Sequence, residues 1–332
     1  MVDMHGGAAD PETGAPWRAD TLACGFSVSK GVFALLVQRL VATGRLSLDA
    51  PVARLWPAFA VQDKQAITVR DALTHRAGLP AVDGPVAPGL LYRPRDMAAT
   101  LAASAPVVPP RAAPAYHNMT YGTLLAEIVR RATGADPADL IARELAGPLG
   151  ADFAIGLGQA DRARAARLTQ DDPGGLFRAL AAEPGSLFAR SMAFFDPEED
   201  FNSARWRAAV IGSGSGHATA LGIARLYEAL IAGSLLPPER RAAIGREVAR
   251  SERDPVLGLP LRLGEGPELS TPPGLDFGPS PRAMGYWGAG GAQGLADPEA
   301  GLALGYVTGH MAAGLGSSPR LRGYLVEVFA CL

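Results

Sequence analysis

Apolar positions recur at Val28, Val32, Leu35, Leu36, Leu40 and Val41, the spacing of one helix face, and predict a helix over 27–43 with Gly44 as its stop. Similar reading predicts helices over 94–103, 121–132 (stopped by Gly134), 138–145 (opened by Asp136-Pro137), 218–232 and 320–329. Thr68-Val69-Arg70-Asp71 has the form of a capping box and opens a short helix expected to end near Gly78-Leu79-Pro80. The pattern changes at the two ends of the chain. Residues 1–7 read as a strand, followed by a turn over 11–16. Residues 283–287, 291–296 and 302–308 read as strands, with Asp297-Pro298-Glu299-Ala300-Gly301 as a hairpin turn. Strands at both ends and helices between them predict an α+β chain. Its antiparallel sheet is built from both termini, flanked by helices, with a mainly helical insertion. The expected division sets 1–60 and 210–332 against 61–209, with loop-rich stretches at 81–114 and 153–216.

Composition narrows the classes. A length of 332 residues allows one large domain or two modest ones. Apolar content of 48% fits a globular protein; a net charge of −2 with scattered arginines points away from nucleic acid and anionic membranes as partners. No segment has the length of a membrane span. The start lacks a signal-peptide pattern, which points to the cytoplasm provided Met1 is the natural start. Cys24 and Cys331 make neither a disulfide framework nor a metal site, and the five histidines show no ligand spacing, so no metal or cofactor is expected. Cys24 reads as a buried apolar residue.

The basic residues carry the sharpest signal. Of 31 Lys+Arg, only Lys30 and Lys64 are lysines. Arginine keeps its proton near neutral pH, whereas a buried lysine can lose it and act as a base. Lys30 stands three residues after Ser27, on the same helix face. Ser27 falls at the helix start, where free N–H groups favour developing negative charge. Chance S-x-x-K matches in this composition number roughly 0.08. The plainer alternative is a serine cap followed by a surface lysine.

Asparagine is equally rare, at Asn118 and Asn202, and Tyr116-His117-Asn118 lies just ahead of the 121–132 helix. A phenol beside a lysine ammonium can titrate lower and serve as a base, and an amide can both donate to and accept from an ester. The plainer alternative for Tyr116 is a buried tyrosine with a satisfied hydroxyl. A third run, Gly285-Tyr286-Trp287-Gly288-Ala289-Gly290-Gly291, allows close backbone approach to a ligand; alone it reads better as a tight sheet bend. Gly212-Ser213-Gly214-Ser215-Gly216 puts glycine where a G-x-S-x-G nucleophile belongs, which argues against a Ser-His-Asp hydrolase. His217 reads as packing at a helix start. His75 and His117 read as structural, with His117 the nearer to the cleft.

Together, Ser27–Lys30, Tyr116–Asn118 and Tyr286-Trp287-Gly288 resemble the S-x-x-K, Y-x-N and K-T-G (or H-x-G, W-G-G) series of the serine β-lactamase-like superfamily. The likeness is nearest to its class C β-lactamase-related esterases, the family VIII carboxylesterases. Ile67–Pro80, Ser215–Ala220 and Ala296–Leu302 look like the same group, so the resemblance runs in order along almost the whole chain. It implies the penicillin-recognising fold, with the site between the sheet-bearing part and a mostly helical subdomain. Members usually carry an N-terminal helix and a strand ahead of the point where this chain starts.

The resemblance implies Ser27 as nucleophile, Lys30 and Tyr116 as a shared base, and the backbone N–H groups of Ser27 and Ala289 as oxyanion hole. Asn118, Tyr286, Trp287 and Gly288 would bind substrate. Tyr286 would stand where a cation usually holds a carboxylate, which favours small uncharged esters over β-lactams. The alternatives are a β-lactamase, a D-Ala-D-Ala peptidase or an acyltransferase of the same fold, and a catalytically silent ligand-binding or assembly-forming relative. Monomer and dimer both remain open.

Overall fold

The computed structural model describes residues 1–170, 183–196, 198–233, 235–272, 275–313 and 318–332; part of the loop-rich 153–216 stretch therefore lies outside the described residues. Three sheets organise the described chain. Strands β1 (Ala8–Asp10) and β2 (Ala15–Pro16) form a small ribbon. Strands β3 (Ala23–Cys24), β4 (Phe153–Ile155) and β5 (Gly216–Ala218) form a second sheet with β5 central. Strands β6 (Ala249–Ser251), β7 (Leu261–Leu263), β8 (Glu268–Leu269), β9 (Met284–Trp287), β10 (Gln293–Asp297) and β11 (Leu302–Tyr306) make an antiparallel meander in sequence order.

The expected sheet from both termini is therefore corrected: all six strands of the main sheet come from the C-terminal part. Residues 1–7 form no strand, because Met1, Val2 and Met4 find nothing to pack on and stay exposed, and pairing begins at Ala8. Strands β4 and β6 to β8 have no sequence signal, since two or three residues are too few to show alternation.

At the centre lies α1 (Val28–Ala42). Every residue from Val28 to Gln38 is buried, so the helix is enclosed on all sides, which explains a sequence apolar on more than one face. It packs on β9 and β10, and on the helices Thr120–Thr133 and Ala220–Glu228. Gly31 permits one of these contacts: a Cβ there would lie 2.1 Å from the Tyr227 hydroxyl, which donates to Val28 O at 3.1 Å. The helix ends as expected, with Gly44 at φ +70°.

The Thr68/Asp71 capping box is present, but its helix, Val69–Leu73, stops well before Gly78. The helix expected over 218–232 is shorter, because Ala218 closes β5 and Thr219 caps Ala220–Glu228. The 138–145 helix is Pro137–Ile141 continued by a wider turn, Ala142–Ala146. The helices Pro94–Ala103, Thr120–Thr133 and Pro319–Ala330 fall close to their expected bounds. Among the described residues no helix is long and apolar enough to cross a membrane.

Candidate active site

Ser27 sits at the N-terminal end of α1, immediately after a strained turn. Phe26 takes φ +43°, a region non-glycine residues rarely enter, and its ring is wedged against Phe201 at 5.2 Å and Trp206 at 6.2 Å. Ser27 makes no side-chain cap bond, so its hydroxyl is not spent on the helix. Instead Ser27 Oγ lies 2.7 Å from Lys30 Nζ. Lys30 is fully buried, and its Nζ also donates to Ser213 O at 3.1 Å. The alternative of a serine cap with a surface lysine is excluded by this geometry.

Burial pushes the Lys30 amine down to about 7, against a smaller opposing pull from Glu268. Tyr116 and Ser27 line the same cavity, and Lys30 Nζ stands 5.0 Å from the centre of the Tyr116 ring. The expectation of a lowered phenol pKa is corrected. Complete burial, with Glu268 nearby, drives Tyr116 well above its usual value, and the neighbouring Ser27 side chain offsets only part of this. Lys30 is thus the group that is readily neutral; Tyr116 keeps its proton.

Supporting residues fix this cluster. Tyr116 N–H donates to Asp254 Oδ2 at 2.8 Å. The His75 ring stacks on Tyr116 on one side and Tyr121 on the other, with centroids 4.8 and 4.4 Å away. His75 Nδ1 accepts from His117 N–H at 2.9 Å, and His117 Nε2 accepts from Leu79 N–H at 3.1 Å. Burial keeps both imidazoles neutral, with His117 pushed down to about 4. His117 does not line the cleft; His75 is the histidine that touches the site. His217 is a buried member of β5 with Nδ1 2.9 Å from Ser215 O, and Cys24 is buried beside Gly214.

Ser27, Tyr116, Asn118, Trp287 and Ala289 line one cavity, walled further by Phe188, Met192 and Trp206, with about 50 Å³ of free volume. Asn118 Nδ2 reaches Met192 Sδ at 2.8 Å, which ties it to the helix Leu187–Met192. Tyr286 does not line this cavity. Successive strand residues point to opposite faces, so Tyr286 and Trp287 cannot share one. The Tyr286 hydroxyl is buried, donating to Gly266 O at 2.8 Å with His75 Nε2 3.3 Å away. Trp287 takes the cavity face, and Ala289 lines the same cavity. Gly288 lies behind, against Gly25. Ser213 and His75 carried no sequence signal of function, because their places at the site depend on contacts between distant parts of the chain. Ser213 shows this: its Oγ accepts from Gly122 N–H, 91 positions away, and its carbonyl accepts from Lys30 Nζ, 183 positions away.

A buried lysine behind a serine at a helix start, beside an antiparallel sheet and a tyrosine, defines the penicillin-recognising class of fold. The chain belongs to the beta-lactamase family, whose family model matches residues 1–317. It is similar to the Esterase/beta-lactamase LipL of Mycobacterium tuberculosis, 33% identical over 92% of this chain and 73% of that protein. Among solved structures, a penicillin-binding protein homologue from Caulobacter crescentus is 36% identical with TM-score 0.88, covering 98% of this chain and 88% of its own. A family VIII carboxylesterase is 32% identical with TM-score 0.85 over the same shares. The protein is a hydrolase of this esterase and β-lactamase group.

Proposed function

We propose that the protein hydrolyses small uncharged carboxylic esters through an acyl-enzyme on Ser27. The observation that carries this reading is the 2.7 Å contact between Ser27 Oγ and a fully buried lysine whose amine is pushed down to about 7. A neutral Lys30 accepts the Ser27 proton as Oγ attacks the ester carbonyl, giving a tetrahedral oxyanion. The backbone N–H groups of Ser27 and Ala289 receive that oxyanion, at about 3 kcal/mol per donor. Tyr116, still a phenol and lining the cavity beside Ser27, passes a proton to the departing alkoxide and is refilled from Lys30. Water then attacks the acyl-enzyme along the same proton path in reverse.

The cavity supports the substrate class. Its walls are mainly apolar and aromatic, with Ser27, Asn118 and Ser213 among them, its free volume is small, and none of its described lining side chains is Lys or Arg. A carboxylate-bearing β-lactam would find no cation among them. Trp287 offers instead a buried indole N–H with no partner among the described residues, a donor suited to a neutral oxygen. Asn118 would orient the acyl side. In this reading residues 1–60 and 210–332 form one subdomain and 61–209 the other, each contributing to the cavity walls.

The test is hydrolysis of 4-nitrophenyl butyrate by the protein and by Ser27→Ala, with intact-mass detection of an activated phosphonate adduct. Activity and adduct should both disappear with the serine. A folded parent that forms no adduct would defeat the reading.

A further inference from the structure

The helix Leu187–Met192 turns one face towards the cavity. Phe188 and Met192 stand four residues apart, so they share a face, and both line the cavity together with Phe195 just beyond the helix. The helix is pinned along its length. The Ser186 hydroxyl accepts from Ala189 N–H at 3.1 Å, and the buried Ser191 hydroxyl donates to Phe188 O at 2.7 Å. Arg190 Nη2 donates to Val82 O at 3.1 Å, which ties the helix to the 81–114 stretch. A wall held in this way keeps its place when a longer substrate arrives. At the cavity, Asn118 Nδ2 donates to Met192 Sδ at 2.8 Å and lies 3.4 Å from Ser191 Oγ. The amide N–H groups of Asn118 are thus engaged by this wall rather than turned to open space. Met192 is itself buried, so its thioether fills the cavity side of the helix rather than its outer face.

We propose that Met192 is a specificity-determining residue: its thioether closes the cavity beyond Asn118 and limits the acyl group to about the length of a butyryl chain. The inference rests on the esterase reading above, in which Asn118 lies along the acyl side. The free volume beside Ser27 is about 50 Å³. At roughly 10–15 Å³ for each water-sized group, that is room for about four such groups, which a butyryl chain fills. A longer chain running past Asn118 meets Met192 next, because the two side chains touch. Met192 is unbranched, and its Cγ, Sδ and Cε project from a backbone that the bonds of Ser186, Arg190 and Ser191 hold in place. Trimming the side chain therefore leaves room where those atoms stood. Further methylenes of the substrate can occupy that room, each worth about fourfold in affinity when buried.

The experiment measures kcat/KM for 4-nitrophenyl acetate, butyrate and octanoate in the parent, in Met192→Ala and in Met192→Leu. In the parent, octanoate should fall at least about tenfold below butyrate, since its extra methylenes find no room and forfeit about fourfold each. Met192→Ala should raise the octanoate-to-butyrate ratio by about tenfold or more, as some of those methylenes become buried. Met192→Leu keeps the bulk and gives up the sulfur, so it should keep the parent's ratio. A ratio unmoved in folded Met192→Ala overturns the proposal. So does an equal shift in Met192→Leu, which would assign the effect to the freed Asn118 amide rather than to room. Should Met192→Ala not fold, the parent decides: octanoate turned over as well as butyrate overturns the proposal, and the expected fall supports it. Intact-mass labelling with an activated phosphonate separates the two readings. A Ser27 adduct with an unmoved ratio defeats the acyl-length inference alone. A folded parent that forms no adduct defeats the esterase reading, and this inference with it.

Discussion

The imidazole of His75 lies flat against the phenol of Tyr116, with ring centroids 4.8 Å apart and 22° between the planes. It holds Tyr116 from behind while Asp254 holds its backbone, so the hydroxyl has one direction in which to point. His75→Ala removes the stack and orphans the His117 N–H. We expect kcat to fall about tenfold with KM little changed, and stability to drop by about 2 kcal/mol. His75→Phe keeps the stack and should recover most of kcat while remaining destabilised by about 1 kcal/mol or more. Equal kcat losses in the two variants would show that the stack does not position Tyr116.

Lys30 and Glu268 give stability opposite pH dependences. The Lys30 amine titrates at about 7 in the fold and ordinarily at 10.5, so between these values the unfolded chain binds the extra proton. Its penalty is present below about 7 and is relieved as pH rises to 10.5. Glu268, at about 8 against 4.5, binds the extra proton in the fold, so its contribution falls as pH rises from 4.5 to about 8. Lys30→Met should therefore be more stable than the parent at neutral pH by on the order of a few kcal/mol, with the gap closing above about pH 8. It should also lose at least about a hundredfold in activity. Urea unfolding across that range checks the first part; a gap independent of pH would mean that Lys30 stays charged throughout.

The parts of this molecule that were legible in the sequence are those where local pattern and structure obey the same rule. The S-x-x-K spacing, the Gly44 stop and the Thr68 capping box each concern residues within one or two helical turns, and each appears as read. What escaped depended on the third dimension. Tyr286 and Trp287 are adjacent in sequence, so only the sheet decides which one faces the cavity, and a shift of one position exchanged their roles. Glu268 lies in a strand too short to show alternation. His75 meets Tyr116 across 41 positions, a contact no periodicity announces. The small strands β6 to β8 are defined by pairing with one another and with β9 rather than by their own composition.

Trp287 is 5% exposed, lines the cavity and keeps an indole N–H without a partner among the described residues. If that N–H meets substrate oxygen, Trp287→Phe preserves the wall and removes the donor. The expected result is a rise in KM for neutral short-chain esters of about fivefold, from one hydrogen bond of about 1 kcal/mol, with kcat nearly unchanged. An unchanged KM would leave Trp287 as a wall alone.

Gly288 couples the two halves of the proposed oxyanion hole. A Cβ at this position would lie 2.1 Å from Gly25 O and 3.2 Å from Phe26 Cβ, in the turn that delivers Ser27. The nearest obstacle is backbone, with no flexible side chain to give way, so Gly288→Ala must push β9 away from the start of α1. Overpacking of this kind costs about 1–3 kcal/mol. The displacement also separates the Ala289 N–H from the Ser27 N–H, and loss of one oxyanion donor lowers kcat by roughly a hundredfold or more. Gly214→Ala serves as the control, since its Cβ would sit at ordinary distances from Trp206 and Met119. Esterase kinetics and thermal unfolding on both variants test the coupling: Gly288→Ala should lose far more kcat than Gly214→Ala. Retention of full kcat in a folded Gly288→Ala protein would show that the Ala289 N–H does not serve the reaction.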